Sequence, residues 1–432
     1  MVVRRVVKAA GLFAVVGLGL GACGMGAGTA DGGDLDASDL GDVEGEIVFQ
    51  TMQLSPTFDE LITGMIEDFE AEHPDVKVEW IDVPSDGAAR KINADAASGR
   101  LPDVLDLDVD TLALLANDGR VLDMEEVTPQ IQEEYVASAW DSFEFDGVGA
   151  AALPWYLNSP VLIMNDNLLR DAGLDPADPP ATYPELMDHA RTVRQETSQA
   201  GFQPTVSRLP NIFLAHGVPL VDEAGRGAVL DTPEALQVLE ELRDLVAEGA
   251  IPAESLSTHP ESAIEAFQEG HTAYFESGIT RFSVLQENAP ELYESVSVAP
   301  PLQGGDWVVA HGLAVAADTD APAAAVEFAL HVTNGANQLA LAKESSVFPS
   351  HLESLADTYF TEPGTAPEDE ARATIGENLV SGKGSPAKPA AIDAEFEQEL
   401  YSELQLALLG DEDPARALQR AEGALSEVLA SE

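Results

Sequence analysis

Apolar positions along the chain switch repeatedly between a strand period and a helix period. Ile47-Val48-Phe49 is a short apolar run. Phe58, Leu61, Ile62, Met65, Ile66 and Phe69 then fall on one helical face, and His73-Pro74 ends that helix because proline removes a donor and restricts its neighbour. Val76, Val78 and Trp80 alternate like a half-buried strand, 88–98 reads as a helix closed by Gly99 and Pro102, and 103–107 and 112–117 repeat the pair. Strand, helix, strand, helix, strand at this spacing predicts an α/β architecture with a parallel sheet and right-handed crossovers. Ligands of such sheets sit beyond the C-terminal ends of strands, which singles out the loops after Phe49, Trp80 and Leu105. A proline-and-aromatic segment, Leu153-Pro154-Trp155-Tyr156-Leu157-Asn158-Ser159-Pro160, leads into the apolar run Val161-Leu162-Ile163-Met164. Helices are expected at 185–195, 233–248, 261–269, 322–333, 396–409 and 414–429, and strands at 296–299 and 312–316. No internal repeat is visible.

The amino end has a different pattern. Arg4, Arg5 and Lys8 precede an apolar run at 9–20, and Leu20-Gly21-Ala22-Cys23 closes it. A charged start, a short apolar core and small residues before a cut site describe an export leader over 1–22. The run is too short to cross a bilayer as a mature helix. The four-residue close is similar to a bacterial lipobox, which makes Cys23 the expected lipidation site and places the protein outside the cell membrane, anchored to its outer face. The paired arginines leave both unfolded and folded export open. Residues 23–44, rich in Gly, Ala, Asp and Ser without an apolar period, read as a flexible tether. Cys23 is the sole cysteine, so the domain is held by its core and not by an intramolecular disulfide.

Charge narrows the function classes. Against 21 basic residues stand 77 acidic ones, a formal charge of −56. That field repels phosphate backbones, so nucleic acid is excluded as a partner. The acids are scattered along the chain, as on a solvated acidic surface.

Several segments in order resemble one family. They are Phe69-Glu70-Ala71-Glu72-His73-Pro74-Asp75-Val76-Lys77-Val78, Ser98-Gly99-Arg100-Leu101-Pro102-Asp103-Val104, Leu153-Pro154-Trp155-Tyr156, and Met164-Asn165-Asp166-Asn167-Leu168-Leu169-Arg170-Asp171-Ala172-Gly173-Leu174. Thr182-Tyr183-Pro184-Glu185-Leu186, Glu269-Gly270-His271-Thr272-Ala273-Tyr274, Ala324-Ala325-Val326-Glu327-Phe328 and Val347-Phe348-Pro349-Ser350 continue the series. Together they resemble the ABC-transporter extracellular solute-binding proteins that include maltose-binding protein. Met164 departs from the family's usual tyrosine. The resemblance implies a two-lobed periplasmic-binding-protein-like fold, each lobe a mostly parallel sheet flanked by helices and joined by a hinge. Chain crossings are expected near Trp155, Gln303 and Phe348. The first lobe would then hold 45–154 and 304–347, the second 155–303 and 348–432.

The same resemblance implies a monomeric receptor that captures a carbohydrate and delivers it to the transmembrane subunits of a permease, with no cofactor and no metal. A sugar needs aromatic planes for its C–H faces and paired polar groups for its hydroxyls. Trp155 and Trp307 fall at expected crossings, where each either packs the hinge or stacks on the ligand; Tyr156 is similar. Asn158 lies where the family places a polar contact. Gln53, with Met52 and Ser55, follows the first strand. Asp106 or Asp108 would accept from a hydroxyl; with Asp110 they alternate, but the spacing lacks the glycine and distal glutamate of an EF-hand. Arg281 and Phe282 occupy the place of a cleft aromatic, Arg281 otherwise being a surface ion-pair partner. His311 replaces a family glycine near the cleft. Other readings are the same fold holding a polyamine, a metal or an organic phosphate, and an exported glycoside hydrolase. Against the hydrolase, the chain has neither a nucleophile elbow nor HExxH spacing.

Overall fold

Ile47 and Phe49 turn into the core from the first strand, and everything that positions the ligand cleft is built outward from that strand. The computed structural model describes residues 40–430 apart from 85–86, 146, 205–207, 223–225, 257–260, 305–306, 385–391 and 393. The leader, Cys23 and most of the tether lie outside the described residues. In chain order the strands are β1 (Gly45–Met52), β2 (Val76–Val83), β3 (Val104–Asp108), β4 (Glu144–Phe145), β5 (Gly149–Ala150), β6 (Leu153–Asn158), β7 (Val161–Asn165), β8 (Ala200–Phe202), β9 (Thr272–Ser277), β10 (Val296–Ala299), β11 (Trp307–Val315), β12 (Phe348–Pro349) and β13 (Lys383–Gly384).

Two lobes are organised around two sheets. The first has the order β12-β6-β11-β3-β1-β2, with β13 paired to β11; the second has the order β10-β7-β9-β8. As the spacing predicts, β1 runs parallel to both β2 and β3. The mostly parallel expectation holds only there, between β8 and β9, and between β11 and β13. The pairings of β3 with β11, β11 with β6, β6 with β12, β10 with β7 and β7 with β9 are antiparallel. Strands joined by a crossover helix must run the same way, whereas a strand returning from the other lobe enters its sheet from the opposite end.

One face of the first sheet packs Phe49, Val104, Leu313 and Trp155 against Ile62 and Phe69 of the helix Asp59–Glu72 and Phe328 of the helix Pro322–Thr333. The other face joins Leu105, Leu107 and Ala310 to the helix Val109–Asn117, and continues through Ile375 and Leu379 to Ile163 and Phe275 of the second lobe. The second lobe has its own core, where Leu162 and Tyr274 meet the helices Tyr183–Thr197, Pro233–Glu248, Ala394–Leu408 and Pro414–Leu429. Tyr183–Thr197 starts on a capping box: the Thr182 hydroxyl accepts from the Glu185 N–H while the Glu185 carboxylate accepts from Thr182.

The crossings differ from the expected ones. β6 keeps Trp155 to Asn158 in the first sheet, so the chain leaves that sheet at Ser159-Pro160. Phe348-Pro349 is an edge strand of the same sheet, where the missing proline N–H costs no ladder bond. Lys383-Gly384 still pairs with the first sheet, whereas the helix Ala394–Leu408 packs in the second-lobe core. Between β10 and β11 the chain passes Gln303, whose N–H donates to Ala181 O at 2.9 Å. Gly304 follows with φ +80°, and a Cβ on it would stand 2.7 Å from Ala215 Cα, so glycine is required for the chain to pass this close to the second lobe. The helix Pro367–Ser381 packs against β6, β7 and β10 and thereby spans both lobes.

Candidate functional site: the cleft between the lobes

Asp82 at the end of β2 fixes the loop that leaves β1. Its carboxylate accepts from the Thr51 hydroxyl at 2.7 Å and from the N–H groups of Leu54 and Ser55 at 3.0 and 3.2 Å. Trp80 Nε1 donates to the same threonine oxygen at 2.8 Å. Gln53 is exposed at the bend with φ 56°, a left-handed conformation uncommon for a side-chain-bearing residue. This clamp presents Phe58 to a cavity of about 520 Å³.

Both lobes line that cavity. Asn158 at the end of β6, with Trp307 and Val309 from β11, joins Phe58 on the first-lobe side, and Ser345 to Val347 close it before β12. Arg208 and Asn211 at the start of the helix Leu209–Ala215 and Gly278 to Thr280 after β9 form the second-lobe side. Ser159-Pro160, the first crossing, forms the joint between the two walls, and Asn378 Nδ2 holds it by donating to Ser159 Oγ at 2.7 Å. Val309 is 46 % exposed, so the wall offers bare apolar surface beside its amides and hydroxyls. A smaller chamber of about 160 Å³ adjoins beyond Thr280 and Ser346, with Tyr359 and Arg372 in its wall. The Arg372 guanidinium lies 4.0 Å from the Tyr359 ring centroid.

Behind the first-lobe wall, β3, β6 and β11 bring Asp106, Tyr156 and His311 together. The Tyr156 hydroxyl lies 2.9 Å from His311 Nδ1 and donates to Asp106 Oδ2 at 3.3 Å; His311 Nδ1 lies 3.1 Å from Asp106 Oδ1. The imidazole stacks on the phenol ring at 4.6 Å and 14°. A bulge makes this meeting happen. His311 faces Tyr156 while Gly312 faces Pro154, so Trp155 is an extra residue and both aromatic side chains reach the same core. Burial, then the Asp106 charge, push the Tyr156 hydroxyl well above its ordinary range. Burial works against a charged His311, yet the hydrogen bond to Asp106 and the charges of Asp106 and Asp108 prevail and raise it.

A second buried acid lies under the opposite wall. Glu276 on β9 accepts from the Tyr183 hydroxyl with both oxygens at 3.1 Å. Burial raises this carboxyl; the Arg208 charge and the tyrosine hydrogen bond oppose that and only partly offset it. Tyr183 is raised in turn by burial and by the Glu276 charge.

The ten candidate residues therefore separate. Asn158 and Trp307 line the cavity, and Tyr156, Asp106 and His311 form the cluster behind it. Trp155 is fully buried against Phe49 at 6.1 Å and packs the first-lobe core, because the bulge turns it away from the cleft. Phe282 is likewise buried, anchoring the helix Arg281–Asn288 and lining the smaller adjoining chamber. Asp108 accepts from the Thr111 N–H at 2.7 Å and caps the helix Val109–Asn117. Arg281 is half-buried at a helix start, and neither it nor Gln53 is in the cavity wall among the described residues. Sequence reasoning missed Phe58 and Arg208 as cleft residues; the scarcity of basic residues was a signal for Arg208, whereas Phe58 is indistinguishable from the helical stripe that follows it.

The chain is similar to proteins of known family. It is 30% identical to a candidate oligosaccharide periplasmic-binding protein from Synechococcus sp. MITs9220, whose crystal structure superposes with a TM-score of 0.79 over 89% of this chain and 99% of that one. A lipoprotein encoded in the oleD 5' region of Streptomyces antibioticus is 26% identical over 72% of this chain and 71% of its own. The diacetylchitobiose binding protein DasA of Streptomyces coelicolor is 23% identical over 87% of this chain and 88% of its own. The family model described as bacterial extracellular solute-binding protein matches residues 54–339. With that match running from the β1 loop through both walls of the cleft, the chain belongs to the bacterial extracellular solute-binding proteins.

Proposed function

We propose that this protein is the monomeric receptor of an ABC-type importer, that it holds a saccharide between its lobes, and that a lipid on Cys23 tethers it outside the cell membrane. The carrying observation is the cavity itself. An indole, amides and hydroxyls from two separate lobes converge on one space beside the chain crossings, so closure about those crossings buries whatever occupies it. The similarity to an oligosaccharide binder and to a diacetylchitobiose binder supports a sugar as the occupant. Capture without turnover fits the wall, whose described residues include no carboxylate pair flanking the space, as glycoside hydrolysis would require.

A thermal-shift screen of the mature protein against mono- and oligosaccharides tests the reading. A true ligand at 100 times its Kd stabilises by about 2.7 kcal/mol and raises Tm. Recovery of that ligand unchanged after incubation is the second expected result. A panel in which no saccharide shifts Tm, or one in which the ligand is recovered cleaved, overturns the proposal.

A further inference from the structure

We infer that the saccharide carries an anionic group and that Arg208 receives it. This rests on the saccharide reading above and narrows it. The chain has 77 acidic residues in 432, yet the described residues of the cavity wall include no Asp or Glu and one Arg. Three acids behind the walls are engaged elsewhere: Asp106 is buried with Tyr156 and His311, Asp108 caps a helix, and Glu276 is buried beneath the second-lobe wall on Tyr183.

Arg208 itself is half-buried at this wall. Its charge reaches Glu276 and Tyr183, but it makes no ion pair or hydrogen bond among the described residues. Elsewhere in this acid-rich chain Arg170, Arg191, Arg243, Arg372 and Arg420 all have carboxylate partners. The Trp307 indole N–H, in the facing wall, is buried and lacks an acceptor among the described residues, as do those of Trp140 and Trp155 in the first-lobe core, so it does not by itself mark a ligand contact. Asn158 and Asn211 add amide donors.

A neutral sugar hydroxyl both donates and accepts, so it can bond the wall's amides, hydroxyls and backbone but leaves a guanidinium's charge unmatched. The wall has one charged donor, Arg208, and among its described residues no carboxylate to match it. A carboxylate or phosphate group is acceptor-only and matches that inventory, and its bonds to guanidinium are charge-assisted. The negative surface does not forbid such a ligand, because at physiological salt charges more than about 8 Å apart are largely screened when exposed, while a partly buried guanidinium is screened much less.

Isothermal titration on the full mature protein decides this, with three probes: a uronate disaccharide, the neutral disaccharide of the same linkage, and a sugar phosphate. Preference for either anionic probe by about ten-fold or more over the neutral one supports the inference, and which of the two is preferred tells a carboxylate from a phosphate. In Arg208→Gln that preference should collapse, and Arg208→Lys should keep part of it. Equal or tighter binding of the neutral disaccharide overturns the inference while leaving the saccharide reading intact, as does a full preference surviving in Arg208→Gln. Binding of none of the three, with the wider saccharide panel also silent, overturns both.

Discussion

Replacing Asp106 by Asn should reverse the pH dependence of one buried histidine. The Asp106 side chain is fully buried and the His311 side chain is 18 % exposed, so their contact at 3.1 Å is shielded from water on one side almost completely. In the native protein the carboxylate hydrogen bond overcomes the burial that favours neutral imidazole, and His311 titrates above its ordinary 6.5. A group raised on folding contributes stability that is fully present below the unfolded pKa and is lost as pH rises through the folded one. The native protein should therefore lose this contribution as pH climbs from about 6.5. In Asp106→Asn only the charge of Asp108, the smallest of these influences, still opposes burial, the largest, so His311 falls below 6.5 and the sign of its contribution inverts. The amide can still accept from Tyr156, which limits the damage to the loss of a charged hydrogen bond, about 1.5–3 kcal/mol at pH 6. Urea unfolding at pH 6 and pH 8 measures the difference, and histidine-selective NMR titration reads the pKa directly. If His311 in Asp106→Asn still titrates above 6.5, the reasoning that Asp106 holds it there is refuted.

The two tryptophans named from the sequence should separate by experiment. Trp307→Ala should weaken saccharide binding about ten-fold while leaving stability near native, whereas Trp155→Ala should cost about 3–5 kcal/mol by emptying a fully buried site, seen as a lower Tm before any ligand is added. Gly376→Ala should destabilise by about 1–3 kcal/mol although alanine is the better helix former, because the added Cβ would meet the Phe360 carbonyl oxygen at 2.5 Å; a rise in Tm would show that the helix can shift away. Cys23→Ser should move the protein from the membrane fraction to the soluble one and remove the acyl mass from its amino end by mass spectrometry; retention in the membrane would exclude the lipid anchor.

Much of this was legible in the amino-acid order because it depends on local periods. The helices Tyr183–Thr197, Pro233–Glu248 and Pro414–Leu429 each carry one apolar stripe and a proline in their first turn, so spacing and caps announce them. The parallel trio β1, β2 and β3 follows from strand and helix alternation, and Asn158 and Trp307 were within reach as polar and aromatic groups beside prolines and glycines. The helix Pro367–Ser381 was not legible. It buries Ala371, Ala373, Ile375, Gly376 and Leu379, which do not form one stripe, because it touches both lobes at once.

What only the tertiary structure decided is which side chains point where. A one-residue bulge in β6 sends Trp155 into the core and joins Tyr156 to Asp106 and His311, across separations of 50 and 155 positions. Alternation alone would have put Trp155 and Tyr156 on opposite faces. Arg208 is one arginine among scattered charges until two lobes fold around the space it borders. The order of residues sets local conformation through steric preference and apolar period, but a cleft exists only where distant segments meet, and no local rule encodes that meeting.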